Sequence, residues 1–352
     1  MKVVITGYNI SNQNKAGGVK VRIKKIYHHL RQRDGMDLEY FCPMTTDLSN
    51  CDILHLFKLE PEYYQLVKCA KKLGVIVVLS SIVPLENSHK IDFYRNFLNK
   101  FPLLTSQKMA FSILQMVDAI IVETDQEARF IHRHYRISTS KLFTIGNGVD
   151  ELKYEGKEIY DIIGGEKEYV LQVGRINSNK NYLNVIKALK NQNIDFVIIG
   201  DGDHGDRKYY DECIKEANGD PHFHFLGWVD SNSNLLKSAY SNAKVLVVPS
   251  FHETFSIVAL EGAAAGCNMV ITKSLPIHDY GVFDDCHLIN PYDIVDIRHQ
   301  ILMAFSEPRT DVTKKRVLGK FSWSNIIDKH IDLYKELYNA QNKKNNTASS
   351  SI

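Results

Sequence analysis

Short apolar runs alternate with segments of helical spacing along the first half of the chain. Between the first two runs, Ile23, Ile26 and Leu30 recur at intervals of three and four, which predicts an amphipathic helix. Alternation of buried strands and helices predicts a parallel sheet covered by helices on both faces. The apolar runs cover residues 3–6, 52–57, 75–79, 119–122 and 141–145.

The same pattern begins again after a polar, glycine-containing stretch at residues 151–167. We therefore predict two doubly wound, Rossmann-like domains, at residues 1–155 and 156–322. Sheets of this kind bind ligands beyond the carboxyl ends of their strands. The apolar runs of the second half cover residues 169–173, 196–199, 223–226, 245–248 and 269–272.

Charge, cysteine content and the length of the apolar runs predict the partners and the location of the protein. The 352 residues carry a formal net charge of +2, which disfavours nucleic acid as a partner. The six cysteines include no C-x-x-C pair, so we expect reduced thiols. The start of the chain lacks the apolar core of a signal peptide, and no apolar run is long enough to span a membrane. From these features we expect a cytoplasmic protein.

Two carboxylates follow the apolar run at 245–248. Glu253 and Glu261 are separated by seven residues, and a helix starting near Phe255 would place Glu261 about two turns inside it. The loop and the helix N-terminus would form an anion site, with Glu253 beside it and Glu261 able to accept hydrogen bonds from ribose hydroxyls. From spacing alone, the more ordinary interpretation is a helix cap and a solvated face.

Two cations follow the apolar run at 169–173. Arg175 comes directly after this predicted strand, and Lys180 lies five residues further on. A guanidinium offers phosphate a planar fork, and an ammonium offers it a point charge. Fixed cations can stabilise the charge that grows on a leaving phosphate without a metal ion. An exposed pair of no consequence is an equal alternative for these two residues in isolation.

Two glycine-containing turns give weaker signals. Gly17 and Gly18 precede the first helix and would let the backbone approach a phosphate or an acceptor, although a plain turn is an equal alternative. Asp201 and Asp203 have the spacing of a D-x-D metal site. They lie in a glycine-rich turn, where Asp is common for local reasons, so we expect no metal.

Together these motifs resemble glycosyltransferase family 4, a large retaining family with the GT-B fold. The sequence NGVD at 147–150 is similar to its interdomain segment, and the residues from Gly174 to Lys180 to its diphosphate clamp. Residues 249–261 are similar to its E-x7-E motif, and FSW at 321–323 to its late FSW segment. The resemblance implies two Rossmann-like domains facing a central cleft, with a helix at 323–339 crossing back to the first domain. Residues 340–352 are polar and predicted to be disordered.

The resemblance also implies a chemistry. The donor would be a nucleotide-diphosphate-sugar bound by the second domain, and the acceptor would be a glycan or a lipid-linked molecule bound by the first. Transfer would retain the anomeric configuration by front-side attack, with no metal and no other cofactor. Arg175, Lys180 and Glu253 would be catalytic. The donor would be bound by Gly17, Gly18, Gly174, Arg175, Lys180, Gly200, Thr254, Phe255, Ser256 and Glu261.

The chain departs from the family pattern in three places. The His usual after the fourth strand, close to the donor sugar, is replaced near Ser80 and Ser81. The Gly usual after Phe255 is Ser256, and the Pro usual near Asn268 is missing.

The predicted function is hexosyl transfer in the synthesis of cell-surface polysaccharide or glycoconjugate. A non-catalytic GT-B subunit that stabilises a partner transferase and a nucleotide-sugar epimerase are the alternatives.

The first predicted helix is strongly basic. Residues 20–33 contain six Lys and Arg side chains and no acidic residue within the helix. With the apolar stripe packed on the sheet, the basic residues would face outward, and a reversible peripheral contact with an anionic membrane, at its inner face, is a further hypothesis. A solvated basic face is the alternative.

Overall fold

The computed structural model describes residues 1–7, 18–83, 85, 88–96, 105–202 and 206–349. Over these residues the chain forms two compact units. The first contains the described residues up to Gly148 and the helix that begins at Trp323, and the second runs from Val149 to Ser322. The structural boundary therefore follows the Asn147-Gly148 turn, whereas the sequence pattern places it after residue 155.

The first unit is built on a six-stranded parallel sheet with the order β2-β1-β3-β4-β5-β6. Its central strands are runs of Ile, Val and Leu, and β3 and β4 are buried at every position because helices cover both faces. The strands are β1 (Lys2–Thr6), β2 (Asp37–Tyr40), β3 (Ile53–Phe57), β4 (Ile76–Ser80), β5 (Ala119–Val122) and β6 (Leu142–Thr144). The helices are α1 (Gly18–Arg31), α2 (Tyr64–Lys72), α3 (Ser88–Asn96), α4 (Ser106–Met116) and α5 (Asp125–Tyr135).

The second unit has its own six-stranded parallel sheet, with the order β12-β11-β10-β7-β8-β9. Connections run outward in both directions from the neighbours β7 and β10, so the predicted doubly wound fold is confirmed in both units. The strands are β7 (Tyr169–Val173), β8 (Asp195–Ile199), β9 (Phe223–Phe225), β10 (Val245–Val248), β11 (Asn268–Thr272) and β12 (His287–Ile289). The helices are α6 (Glu158–Ile163), α7 (Tyr182–Leu189), α8 (Arg207–Ala217), α9 (Asn234–Asn242), α10 (Ile257–Ala264), α11 (Ile294–Ser306) and α12 (Val312–Phe321).

The last helix, α13, runs from Trp323 to Ser349 and packs against α1 of the first unit. The sequence predicts disorder from residue 340, and the structure instead continues the helix through Ser349. Ala, Gln and Lys in this stretch favour helix, and an existing helix gains one hydrogen bond for each residue it adds. Gln341 also donates to the carbonyl of Gly74 at 2.6 Å. Within the described ranges, every helix is too short or too polar to cross a bilayer.

Two of the motifs recognised in the sequence meet inside the first unit. Gly148, in the NGVD segment, lies against the indole of Trp323, in the FSW segment. A Cβ on Gly148 would come within 2.3 Å of a ring carbon of Trp323. Because real Cβ atoms do not approach ring carbons this closely, the residue at 148 has to be glycine for Trp323 to keep this position.

Helix α1 places only part of its basic set on the surface. Arg22 is 2% exposed, and its Nη1 lies 2.6 Å from Oε1 of Glu123 at the end of β5. The prediction of outward-facing basic residues is therefore wrong for Arg22, because a guanidinium can be buried when a carboxylate pairs with it. Arg33 pairs with Asp328 of α13 at 2.9 Å. Lys24 and Arg31 are exposed.

Candidate active site

The residues predicted for the donor site gather at the carboxyl ends of neighbouring strands in the second unit. Gly174 and Arg175 follow β7, the segment with Glu253 follows β10, and Gly200 follows β8. β7 and β10 pair with each other, and chain connections leave this pair in opposite directions. The carboxyl edge at such a topological switch point is where open α/β sheets bind ligands.

Lys180 and Glu253 form an ion pair at this edge. The Lys180 ammonium contacts Oε1 of Glu253, and the hydroxyl of Ser250 donates to the same oxygen at 2.8 Å. The side chains are 24% and 13% exposed, so both reach solvent from a sheltered position. The structure thus brings together a cation and a carboxylate that lie 73 residues apart in the sequence.

Asn179 joins the two loops that carry this pair, a role that the sequence analysis missed. Its side-chain amide donates to the carbonyl of His252 at 2.8 Å and its side-chain oxygen accepts from the His252 N–H at 3.0 Å. Its backbone carbonyl accepts from the N–H of Phe251 at 2.9 Å. An Asn beside Lys180 looks like an ordinary turn residue, and only its long-range hydrogen bonds reveal the bracing role.

The loop before α10 contains a strained residue. Ser256 has a φ of 76°, in the left-handed region, and directly precedes α10. This backbone favours glycine, which accounts for the Gly that the resembling family has at this position. The Ser256 hydroxyl is buried and lacks a hydrogen-bond partner among the described residues. Phe255 is buried against Phe321 and Tyr280, while Thr254 is half-buried.

Glu261 lies in the second turn of α10, as the spacing predicts. Its Oε2 accepts a hydrogen bond from the hydroxyl of Tyr240 at 2.7 Å. Burial, together with the charge of Glu261, raises the pKa of Tyr240 well above its ordinary value, so the hydroxyl stays protonated and donates. The alternative of an unconstrained glutamate on a solvated face is therefore wrong, since Glu261 is half-buried and held by Tyr240.

The close approach of two turns requires glycine at Gly200. A Cβ at this position would lie 1.8 Å from the carbonyl oxygen of Gly174, and that carbonyl also accepts from the hydroxyl of Tyr182 at 2.8 Å. The turns after β7 and β8 are thus packed backbone against backbone. Arg175, which follows Gly174, has an exposed side chain.

Asp201, the described aspartate of the D-x-D stretch, makes hydrogen bonds within the neighbouring turns. The Asp201 carboxylate accepts from the N–H of Gly202 at 2.8 Å, and its carbonyl accepts from the N–H of Ile176 at 2.9 Å. Asp203 lies outside the described residues. Across the described part of the chain, His, Cys, Asp and Glu side chains form no group of three or more that could hold a metal ion.

The remaining predicted residues belong to the first unit. Gly18 is the first residue of α1, and Gly17 lies outside the described residues. Ser80 and Ser81, which stand where the resembling family has a His, are fully buried. The Ser80 hydroxyl is hydrogen-bonded to Nε2 of His55 at 3.0 Å, and the Ser81 hydroxyl donates to Glu127 at 2.8 Å. Both hydroxyls are engaged inside the unit, and neither faces solvent as a replacement for that His.

Comparison with known proteins relates part of the chain to a family of transferases. Residues 161–314 match the sequence model of the family Glycosyl transferases group 1. An uncharacterized glycosyltransferase of Methanocaldococcus jannaschii is 32% identical over 182 residues, which are 48% of this chain and 45% of that protein. The chain thus spans about half the length of this relative. A processive diacylglycerol alpha-glucosyltransferase of Acholeplasma laidlawii is 24% identical over 324 residues, which are 89% of this chain and 90% of that protein.

Solved structures agree on the fold. Sucrose-phosphate synthase from Thermosynechococcus elongatus matches with a TM-score of 0.74 at 17% identity, over 96% of this chain and 99% of that one. The HepE protein of Anabaena, solved in complex with UDP, matches with a TM-score of 0.73 at 14% identity, over 96% and 100% of the two chains. These likenesses show that the chain has the GT-B fold, and its residues 161–314 are similar to the group 1 glycosyltransferases.

Proposed function

We propose that this glycosyltransferase moves a sugar, with retention of anomeric configuration, from a nucleotide-diphosphate-sugar to a glycan or lipid-linked acceptor. The observation that carries the proposal is the contact between Lys180 and Glu253 at the switch point of the second unit. A cation for the leaving phosphate and a carboxylate for the sugar are held at one point, on the edge where such sheets bind ligands.

Each group has a distinct task in this proposal. Lys180 and Arg175 take the diphosphate, where their charge stabilises the negative charge that develops as the glycosidic bond to phosphate breaks. The backbone N–H groups at the start of α10 add to the same site. Glu261, oriented by Tyr240, accepts hydrogen bonds from the ribose hydroxyls. When the donor binds, Lys180 turns from Glu253 to the phosphate, and the freed carboxylate of Glu253 contacts the sugar.

Retention follows from front-side attack. The acceptor hydroxyl approaches the face that the phosphate leaves, and a phosphate oxygen takes the hydroxyl proton as the new bond forms. This route requires no enzyme nucleophile, and the two cations supply the charge that a divalent ion supplies elsewhere. We therefore propose a reaction that is independent of metal.

The acceptor class draws support from relatives. One acts on diacylglycerol, by its name, and an undecaprenol-linked acceptor is named for a Campylobacter jejuni transferase that is 24% identical over 176 residues. A lipid-linked acceptor would bring the protein to a membrane surface. The exposed side of α1 presents Val21, Lys24, His28 and Arg31, and each cation near an anionic surface is worth about 1 kcal/mol.

The experiment is incubation with a panel of nucleotide sugars, alone and with diacylglycerol or polyprenyl-diphosphate acceptors. We expect release of nucleoside diphosphate that depends on acceptor, and NMR of the product should show the donor's anomeric configuration. Isomerised donor without release would indicate the epimerase, and no reaction with any donor would indicate the non-catalytic subunit. Inverted configuration would contradict retention.

The membrane contact has a separate test. We expect the protein to sediment with anionic vesicles at low salt and to remain in the supernatant with neutral vesicles or at high salt, because the attraction is electrostatic. The double substitution Lys24→Ser/Arg31→Ser should abolish sedimentation. Equal recovery in the supernatant under all conditions would contradict the membrane contact and favour the alternative, in which the basic residues of α1 only face solvent.

A further inference from the structure

A strained loop follows β4 at the carboxyl edge of the first sheet. Ile82 has a φ of 46°, in the left-handed region, where a β-branched residue is a genuine outlier. Strained residues persist only where the surrounding structure holds them, and they cluster at functional sites. The loop lies at the same edge of its sheet that carries the candidate site in the second unit, the edge at which open α/β sheets bind ligands.

Glu127 holds this loop from both sides of Ile82. Its Oε1 accepts from the hydroxyl of Ser81 and from the N–H of Val83, each at 2.8 Å. Its Oε2 accepts from the N–H of Glu123, at the end of β5, at 2.7 Å. Glu127 is completely buried, so its carboxylate ties the loop after β4 to the end of β5 with no contribution from solvent.

The hydrogen bonds of Glu127 go beyond capping its own helix. The hydroxyl of Thr124 already caps α5 by accepting from the Glu127 N–H at 3.2 Å. In a capping box the glutamate would reach back to the N–H of that cap residue. Here it reaches past Thr124 to Glu123 and across to residues 81–83. The burial of a carboxylate among neutral donors is expensive, and this carboxylate is buried beside a loop whose backbone is strained.

We propose that Glu127 is a positioning residue for acceptor binding: by fixing the buried Ser81 and Val83, it holds the half-buried Ile82 between them in the conformation that the acceptor contacts. The inference rests on the proposed function, in which the first unit takes the acceptor. It adds a role that no sequence motif indicates. Because the donor residues Lys180, Glu253 and Glu261 belong to the second unit, breaking the hydrogen bonds of Glu127 should change acceptor binding and leave nucleotide binding intact.

The test is Glu127→Gln in the full chain. A neutral amide keeps the size of the side chain, but its NH2 group faces an N–H or hydroxyl donor in either orientation, so at least one hydrogen bond is broken. We expect the KM for the acceptor to rise about tenfold, the scale for breaking one buried hydrogen bond. The Kd for nucleoside diphosphate should stay unchanged. Glu62→Gln, on an exposed turn of the same unit, is the matched control.

Rescue separates positioning from simple stability. Glycine adopts a positive φ without a side-chain clash, so Ile82→Gly should let the loop keep its shape without the Glu127 carboxylate. We expect the double variant Glu127→Gln/Ile82→Gly to recover an acceptor KM within about twofold of the wild type. Hydrogen exchange should show faster exchange of the Val83 and Glu123 amides in Glu127→Gln alone, relative to the wild type.

The outcomes distinguish this inference from the proposed function. An inactive wild type would overturn the proposed function, and the acceptor role of Glu127 with it. An active wild type in which Glu127→Gln has the acceptor KM of Glu62→Gln would overturn the positioning role alone. A raised KM that Ile82→Gly does not correct, with unchanged amide exchange at Val83, would also overturn it, because the loop would then not be the link.

Discussion

Two carboxylates at the carboxyl ends of the two sheets illustrate two different uses of charge. Glu253, in the second unit, is paired with the Lys180 ammonium and is 13% exposed. Glu127, in the first unit, is fully buried and accepts from one hydroxyl and two backbone N–H groups. A carboxylate that has a mobile cation and access to solvent can exchange partners with a ligand. A carboxylate enclosed by fixed neutral donors holds the backbone in place.

The buried environment of Glu127 also changes the pKa of its carboxyl group. Burial, and then the nearby charge of Glu123, raise the pKa of Glu127 to about 7, although its three hydrogen bonds act in the opposite direction. The Arg22 guanidinium, which pairs with Glu123, is a compensating cation. Burial therefore opposes the ionisation of Glu127, and its hydrogen bonds from Ser81, Val83 and Glu123 offset part of that cost.

The largest expected effect comes from removing the cation of the second unit. Lys180→Ala should lower kcat by about a hundredfold or more, the scale for losing one preorganised charge stabiliser, and Arg175→Ala should do the same. The change in kcat is measured by the steady-state release of nucleoside diphosphate. Lys190→Ala is the control, because Lys190 pairs with Glu216 at 2.8 Å elsewhere in the same unit. Normal turnover in both Lys180→Ala and Arg175→Ala would contradict the assignment of these residues to the site.

The next largest effect is expected from removing the charge of Glu261, the proposed acceptor of hydrogen bonds from ribose. Glu261→Gln should weaken donor binding by about 1.5–3 kcal/mol, the value of hydrogen bonds to charged groups. Glu253→Gln should lower catalysis more than binding. Tyr240→Phe, which removes only the hydroxyl that orients Glu261, should have a smaller effect than Glu261→Gln. Titration calorimetry with an unchanged affinity for Glu261→Gln would contradict the ribose role.

A third prediction uses the raised pKa of Glu127. The folded state binds this proton more tightly than the unfolded chain does, because the pKa of Glu127 is raised to about 7 from its ordinary value of 4.5. The unfolding free energy contributed by this group is therefore fully present below pH 4.5 and is lost as pH rises toward 7. Relative to Glu127→Gln, the wild type should lose stability across this window in urea titrations. Parallel pH profiles for the two proteins would contradict the shift.

His330 contributes a slope of the opposite sign. Burial lowers its pKa to about 4, so its contribution is present above pH 6.5 and is lost as pH falls toward 4. The wild-type profile contains such contributions as well, so the difference between two proteins that share His330 is the quantity to measure.

A smaller effect is expected at Ser256. Ser256→Gly should raise the unfolding free energy by about 1 kcal/mol, because glycine accepts the positive φ and removes a buried hydroxyl. Ser256→Ala keeps the strained backbone and removes only the hydroxyl, so the difference between the variants isolates the backbone strain. Urea denaturation measures both. A less stable glycine variant would show that the strain is small relative to the chain entropy that glycine adds.

The last prediction is that removal of metal ions has no effect on turnover. If the Lys180 and Arg175 cations replace a divalent ion, a chelator should leave turnover unchanged. Loss of activity with chelator, restored by magnesium or manganese, would require a metal role for Asp201 and Asp203.

The sequence predicted the strands of both sheets except β2 and β12, and it placed the candidate residues of the second unit at one edge of its sheet, because these inferences depend on local patterns. Runs such as residues 245–248 are apolar without alternation, and parallel strands are buried on both faces. The spacing from Glu253 to Glu261 determines where each lies relative to α10. The cations after β7 reach the same edge because neighbouring parallel strands end together. Each of these inferences needs only the order of residues along one or two elements.

The first unit was less predictable because its polar interactions join distant residues that belong to no recognisable motif. Arg22 and Glu123 are 101 residues apart, and Val83 and Glu127 are 44 apart. Arg22 on a basic helix looks like any surface cation, and Glu127 in the first turn of α5 looks like any favourable helix-terminal acid. Only the packing of α1 and β4 against the end of β5 reveals that these charges are internal.

The discontinuity of the first unit has a consequence for how the chain is made. In β3, His55 is buried with its Nδ1 2.7 Å from the hydroxyl of Tyr334 in α13, a residue 279 positions later. The second unit is one unbroken segment, Val149–Ser322. Domains fold as units during synthesis, so this later segment can reach its final form on the ribosome first. The first unit cannot complete its packing until α13 has been synthesised, because α13 contacts its sheet.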